Sequence, residues 1–204
     1  GAVKGMNFAT CGQSCQSTSR LFVHASLYDR VLEGVVEKIR RYRPGVPIEK
    51  DTTMGALISR EQRDKVVRYI ELGRQEGARL VAGGKAPNEP GLAGGYFLEP
   101  TVFADVTPSM RLFQEEVFGP VLAVIPWDDE DELLNAIRGV APGFPEVFAT
   151  EQARNAALGP YGPYVTFVPA SWIEIEAGGF PVPSVAIGHS LGDPDFAEVA
   201  SPIL

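Results

Sequence analysis

The chain has 204 residues, of which 45% are hydrophobic, 22% charged and 9% aromatic. That length is enough for one large domain or two small ones with a real hydrophobic core, and the composition excludes a disordered chain. With 18 Lys and Arg against 26 Asp and Glu, the formal charge is −8. Binding to nucleic acid or to an anionic membrane needs clustered basic charge, so both are argued against.

The first two thirds reads as alternating strand and helix. Leu21-Phe22-Val23 is a short apolar run of strand type. Ser26 is placed to cap a helix whose apolar residues Leu27, Val31, Val35, Val36 and Ile39 recur at helical spacing. Basic residues Lys38, Arg40, Arg41 and Arg43 suit that helix's negative end, and Pro44-Gly45 stops it. Ser59-Arg60-Glu61-Gln62 then has the pattern of a capping box, with an apolar stripe at Val66, Val67, Ile70 and Leu72. Arg79 to Ala82 and Phe97 to Phe103 read as strands. Val121 to Ile125 is a continuous apolar run, as in a strand buried on both faces. Asp128 to Val140 is helical. Strands alternating with helices predict an α/β fold with a mostly parallel sheet and helices on its faces.

After Pro142 prolines crowd in, and short strand candidates such as Tyr164 to Val168 and Val185 to Ile187 replace helices. No linker marks a second domain, so residues 1–204 read as one domain with a loop-rich C-terminal end. The two cysteines form no disulfide framework, and the sequence shows no membrane-length apolar run and no leader pattern. A cytoplasmic location is the expectation.

Cys11 and Cys15 lie in a small, polar stretch, Thr10-Cys11-Gly12-Gln13-Ser14-Cys15. Three readings stay open on chemistry alone. A metal site would need His24 or His189 as further soft ligands, and neither has ligand spacing, so no metal is expected. Both cysteines could be small core residues. Alternatively one is a nucleophile, its thiol placed near backbone N–H groups that favour the thiolate and hold an oxyanion.

The run Gly12-Gln13-Ser14-Cys15, followed by Ser19-Arg20-Leu21-Phe22-Val23, resembles the nucleophile segment of the aldehyde dehydrogenase superfamily. Phe97-Leu98-Glu99-Pro100-Thr101-Val102 and Glu115-Glu116-Val117-Phe118-Gly119-Pro120-Val121 resemble two further signatures of that family, in the same order. Met54-Gly55-Ala56-Leu57-Ile58, Glu76-Gly77-Ala78 and Gly83-Gly84 fit between them. The likeness is carried by residues 1–138, while 139–204 follow the family's pattern only faintly.

The resemblance implies the fold of that family's catalytic domain. It makes Cys15 the nucleophile and Cys11 structural. Glu116 matches the carboxylate that binds the nicotinamide ribose of NAD or NADP, a role that needs an acceptor for two hydroxyls. Phe118 matches an aromatic beside the nicotinamide, and Gln62 a glutamine touching the same ribose. Each has an ordinary counterpart: a salt-bridged acid, which suits Glu115 better, a core aromatic, and a surface residue in a helix's first turn. The reaction implied is oxidation of a small-molecule aldehyde to the acid through a thiohemiacetal and a thioester on Cys15.

The family's general-base glutamate, its oxyanion asparagine and its coenzyme-binding domain match nothing in these residues. The isolated chain is therefore expected to be inactive, and homo-oligomers are expected from the family. Two alternatives belong to other classes. One is a noncatalytic module of this family with a role in assembly. The other is a serine hydrolase, since Gly188-His189-Ser190-Leu191-Gly192 matches the nucleophile elbow around Ser190. No histidine follows Ser190 as that fold requires.

Overall fold

A computed structural model describes residues 2–140, with side chains through 137, and the backbone of two later strands at 165–168 and 185–188. In chain order the elements are α1 (Ala2–Gly5), β1 (Arg20–His24), α2 (Tyr28–Ile39), α3 (Arg60–Gln75), β2 (Arg79–Ala82) and β3 (Thr101–Ala104). They continue with α4 (Arg111–Gln114), β4 (Val121–Trp127), α5 (Glu130–Val140), β5 (Val165–Val168) and β6 (Val185–Gly188).

The strands form one six-stranded sheet in the order β2-β3-β4-β1-β6-β5. The four inner strands run parallel, and β2 and β5 close the two edges antiparallel. A mostly parallel α/β sheet is what the alternating pattern predicts. The apolar run of β4 pairs β3 on one side and β1 on the other, and Val121 to Ile125 are all buried. An apolar strand that alternates with nothing polar has no face to offer water, so it takes the centre.

Three local expectations are corrected. Ser26 is not the cap of α2. His24 caps a 3₁₀ turn over Ala25–Leu27, its Nδ1 accepting from the Ser26 N–H at 3.2 Å, and α2 continues from that turn. The stripe of α3 is Val66, Ile70 and Gly73, while Val67 is exposed and Leu72 half-buried. Gly73 replaces them because a side chain there would strike Leu112 and the Phe103 ring. The third strand starts at Thr101 rather than Phe97. Its ladder begins opposite Val121, so residues before it have no partner strand, and Pro100 has no N–H to donate.

Ser59 caps α3 as expected, accepting from the Gln62 N–H at 3.2 Å. The strand expected within Tyr164 to Val168 is β5, and that at Val185 to Ile187 is β6. The Ser190 elbow and the faint tail motifs otherwise lie outside the described residues. No helix among the described residues is long and apolar enough to cross a membrane.

Candidate active site

The Cys15 loop, the segment 116–120 and the first turn of α3 meet at one edge of the sheet, whereas Glu76-Gly77-Ala78 leads into the antiparallel β2 and lies at the other edge. The strands β1, β4 and β3 run parallel, so the segments that enter them share the N-terminal edge. Cys15 lies just before β1, Glu116 to Pro120 just before β4, and Gln62 in the first turn of α3.

Glycines bring these segments into contact. Gly12 has φ +63°, and a Cβ there would overlap the Gly119 carbonyl oxygen and stand 2.8 Å from both its carbon and the Met6 methyl. A Cβ on Gly119 would in turn meet both methyls of Val66 on α3. Only backbone without side chains permits that approach. The loop before Cys15 is also held from the segment 54–58. The Cys11 thiol donates to the Gly55 carbonyl at 3.0 Å, and the Gln13 Oε1 accepts from the Ile58 N–H at 3.0 Å.

The two cysteines have opposite surroundings. Cys11 is buried, and burial pushes its thiol up to about 11. Cys15 is exposed at the surface of the loop. Its N–H has no protein acceptor among the described residues, which leaves it able to donate to a bound oxyanion.

Gln62 is half-buried, not a solvated surface residue. Its Nε2 donates to the Phe118 carbonyl at 2.7 Å and to the Val117 carbonyl at 3.3 Å. The side chain thus leaves its own capping box and fastens α3 to the segment before β4. Phe118 is half-buried and adopts φ +54°, a left-handed conformation costly for a bulky residue. Backbone strain held in place by such contacts is a mark of functional segments.

Glu115 and Glu116 have different surroundings. Glu115 accepts from the Tyr69 hydroxyl at 2.5 Å and faces Arg111 at 3.6 Å. Glu116 is half-buried, and burial raises its carboxyl pKa while the charges of Lys65 and Arg20 oppose that shift. Arg20 belongs to the run Ser19-Arg20-Leu21-Phe22-Val23, whose pattern assigns it no role. It is 3% exposed, its Nε donates to the Phe113 carbonyl, and its Nη2 donates to the Glu115 carbonyl at 3.1 Å. The available signal was a cation opening an otherwise apolar strand, which must find partners when buried.

Among the described residues no group of three His, Cys, Asp or Glu could hold a metal ion. A half-buried carboxylate with no ion-pair partner among the described residues does suit a ligand bearing hydroxyls.

Comparison with known proteins agrees with this arrangement. The model of the Aldehyde dehydrogenase family matches residues 1–157. The aldehyde dehydrogenase tropH of Talaromyces stipitatus is 46% identical over 156 residues, covering 74% of this chain and 30% of that protein. A betaine aldehyde dehydrogenase of Mesorhizobium japonicum is 39% identical over 199 residues, covering 94% of this chain and 40% of that protein. Among solved structures, an NAD+ complex of aldehyde dehydrogenase from Bacillus cereus superposes with a TM-score of 0.61 at 38% identity. It covers 68% of this chain and 28% of that one. The chain therefore spans well under half the length of the relatives it matches. On the family match, the shared motifs and the superposed fold, this chain belongs to the aldehyde dehydrogenase family.

Proposed function

We propose that these residues form the thiol-bearing part of an NAD(P)+-dependent aldehyde dehydrogenase, with Cys15 as nucleophile and Glu116, Phe118 and Gln62 at the nicotinamide end of the cofactor. One observation carries the reading: Gly12 packs on Gly119, so the loop of the exposed thiol and the strained segment bearing Glu116 form a single edge. The Bacillus cereus relative and a betaine aldehyde dehydrogenase from Staphylococcus aureus were solved with NAD+, which supports the choice of cofactor.

The Cys15 thiolate attacks the aldehyde carbon, and the carbonyl pair moves to oxygen, where the Cys15 N–H receives the oxyanion. A bound nicotinamide would supply the hydride acceptor, and loss of hydride from that carbon would reform the carbonyl as a thioester on Cys15. Water then adds to the thioester, the carboxylic acid leaves, and the thiolate is regenerated. Glu116 holds the ribose hydroxyls, and Gln62, through the Val117 and Phe118 carbonyls, keeps the Glu116 segment against α3.

The thiol step belongs to these residues, and the complete oxidation to a longer protein. Catalysis needs thiolate, nicotinamide and a base for water in one geometry, and only the first is fully assigned here. The test is alkylation with iodoacetamide at pH 7, followed by peptide mapping. A thiol titrating at about 11 is ionised to roughly 1 part in 10⁴ at that pH, against about 3% for an ordinary cysteine. Cys15 should label at least 100-fold faster than Cys11, and short aldehydes should slow its labelling. Equal labelling, or no protection by aldehyde, refutes the assignment. The 204-residue chain with NAD(P)+ and aldehyde should give no sustained absorbance increase at 340 nm.

A further inference from the structure

The least expected side chain at this edge is a buried cation with no carboxylate in ion-pair contact among the described residues. Arg20 is 3% exposed, yet its hydrogen bonds run to two backbone carbonyls, those of Phe113 and Glu115. These carbonyls lie where α4 ends. Glu115 caps that short helix in an extended conformation, φ −115° and ψ 155°. Consecutive side chains in extended backbone point to opposite sides. The Glu115 carboxylate goes to Tyr69 and Arg111, and the Glu116 carboxylate lies within the field of Arg20 and Lys65.

We propose that Arg20 is a positioning residue for Glu116: its guanidinium fixes the backbone that carries Glu116 and supplies part of the positive charge facing its carboxylate. This rests on the reading of Glu116 as the ribose-binding carboxylate. Arg20 opens β1, the strand entered directly from the Cys15 loop. One side chain thereby sets the thiol loop and the cofactor carboxylate in a common frame. Burial lowers the Arg20 pKa to about 10, which leaves the guanidinium charged at neutral pH. The groups facing Glu116 are Arg20 from β1 and Lys65 from α3, while its neighbour Glu115 is neutralised by its own partners. A guanidinium suits this better than an ammonium because its planar fork reaches two carbonyls at once.

The test compares Arg20→Lys and Arg20→Met in the full 204-residue chain labelled with ¹³C-glutamate, with Glu116→Gln identifying the Glu116 signal. Loss of the cation in Arg20→Met should raise the Glu116 titration midpoint by about half a pH unit or more. Arg20→Lys keeps the charge and one donor, so its midpoint should stay near that of the parent chain. Amide exchange at Val117 and Phe118 should quicken in both variants. A purely structural role would quicken exchange while leaving the Glu116 midpoint equal in the two variants, and that result overturns the proposal. If Arg20→Met does not fold, Arg20→Gln, neutral with one donor, takes its place with the same expected rise. Folding with Lys but with neither neutral residue would assign the charge to stability alone and also overturn the proposal, as would failure of Arg20→Lys to fold. Addition of NAD+ is a separate arm. If the parent chain's Glu116 signal does not respond to it, the cofactor reading fails while the titration comparison stands.

Discussion

Replacing Gly12 by alanine tests whether the thiol loop and the Glu116 segment are built as one unit. Gly12 sits at φ +63°, where an L side chain costs about 1–2 kcal/mol. The new Cβ would also overlap the Gly119 carbonyl oxygen and crowd the Met6 methyl at 2.8 Å. Overpacking of this kind costs about 1–3 kcal/mol, and a backbone carbonyl yields less readily than a side-chain tip. The sum is about 2–5 kcal/mol, which for a domain of this size lowers Tm by on the order of 10 °C. Gly34, in the middle of α2, is the control, because a Cβ there meets nothing within 4 Å. Gly34→Ala should be neutral or stabilising by about 0.5–1 kcal/mol, since alanine loses less backbone entropy in a helix. The assay is urea denaturation of the three chains, followed by the iodoacetamide rate at Cys15. Gly12→Ala should lose stability and change the Cys15 rate, with Gly34→Ala leaving that rate untouched. If Gly12→Ala unfolds with the parent midpoint and alkylates at the parent rate, the two segments are not in the contact described, and the argument for a shared site collapses.

Three further outcomes follow from individual contacts. Tyr28→Phe removes a hydroxyl that accepts from the Asp105 N–H at 2.6 Å and donates to the Val124 carbonyl at 3.3 Å. The Val124 carbonyl keeps the Val106 N–H at 3.2 Å, but leaving the Asp105 N–H unpaired should cost about 1–3 kcal/mol in urea denaturation, and a change under 0.5 kcal/mol would refute the latch. For Cys11 the folded pKa is raised, so the neutral thiol is favoured and its contribution is complete below about pH 9 and lost as pH rises to about 11. Stability measured at pH 8 and pH 10 should therefore fall less in Cys11→Ala than in the parent chain, and equal falls would contradict the burial argument. Gln62→Leu deletes the bonds to Val117 and Phe118, and amide exchange in residues 117–119 should rise at least tenfold while β4 stays protected. Unchanged exchange there would mean that Gln62 does not hold the segment.

Much of this chain is legible because local signals and the fold agree. The apolar run Val121 to Ile125 could only be a central strand, and Ser59 could cap α3 without help from distant residues. The motifs around Cys15 and Glu116 were legible as a resemblance, and the structure buries Cys11 while leaving Cys15 exposed. Other features were decided by contacts between distant segments. Ser26 has the right chemistry for a cap, yet His24, stacked edge-on against Trp127, takes that place. Leu72 has the right hydrophobicity for the core face of α3, yet Gly73 faces Leu112 and Phe103, where there is room only for a hydrogen.

Local pattern set the strands, the helices and the residue types fit for chemistry, because periodicity and capping depend on neighbours in the chain. Tertiary structure alone decided that Gly12 meets Gly119, that Gln62 turns from its own helix to the Phe118 carbonyl, and that Arg20 reaches Phe113 and Glu115. Those partners lie 56 to 107 positions apart in the chain. They meet because parallel strands bring the loops before them to one edge of the sheet, which no pattern confined to a few neighbouring residues can encode.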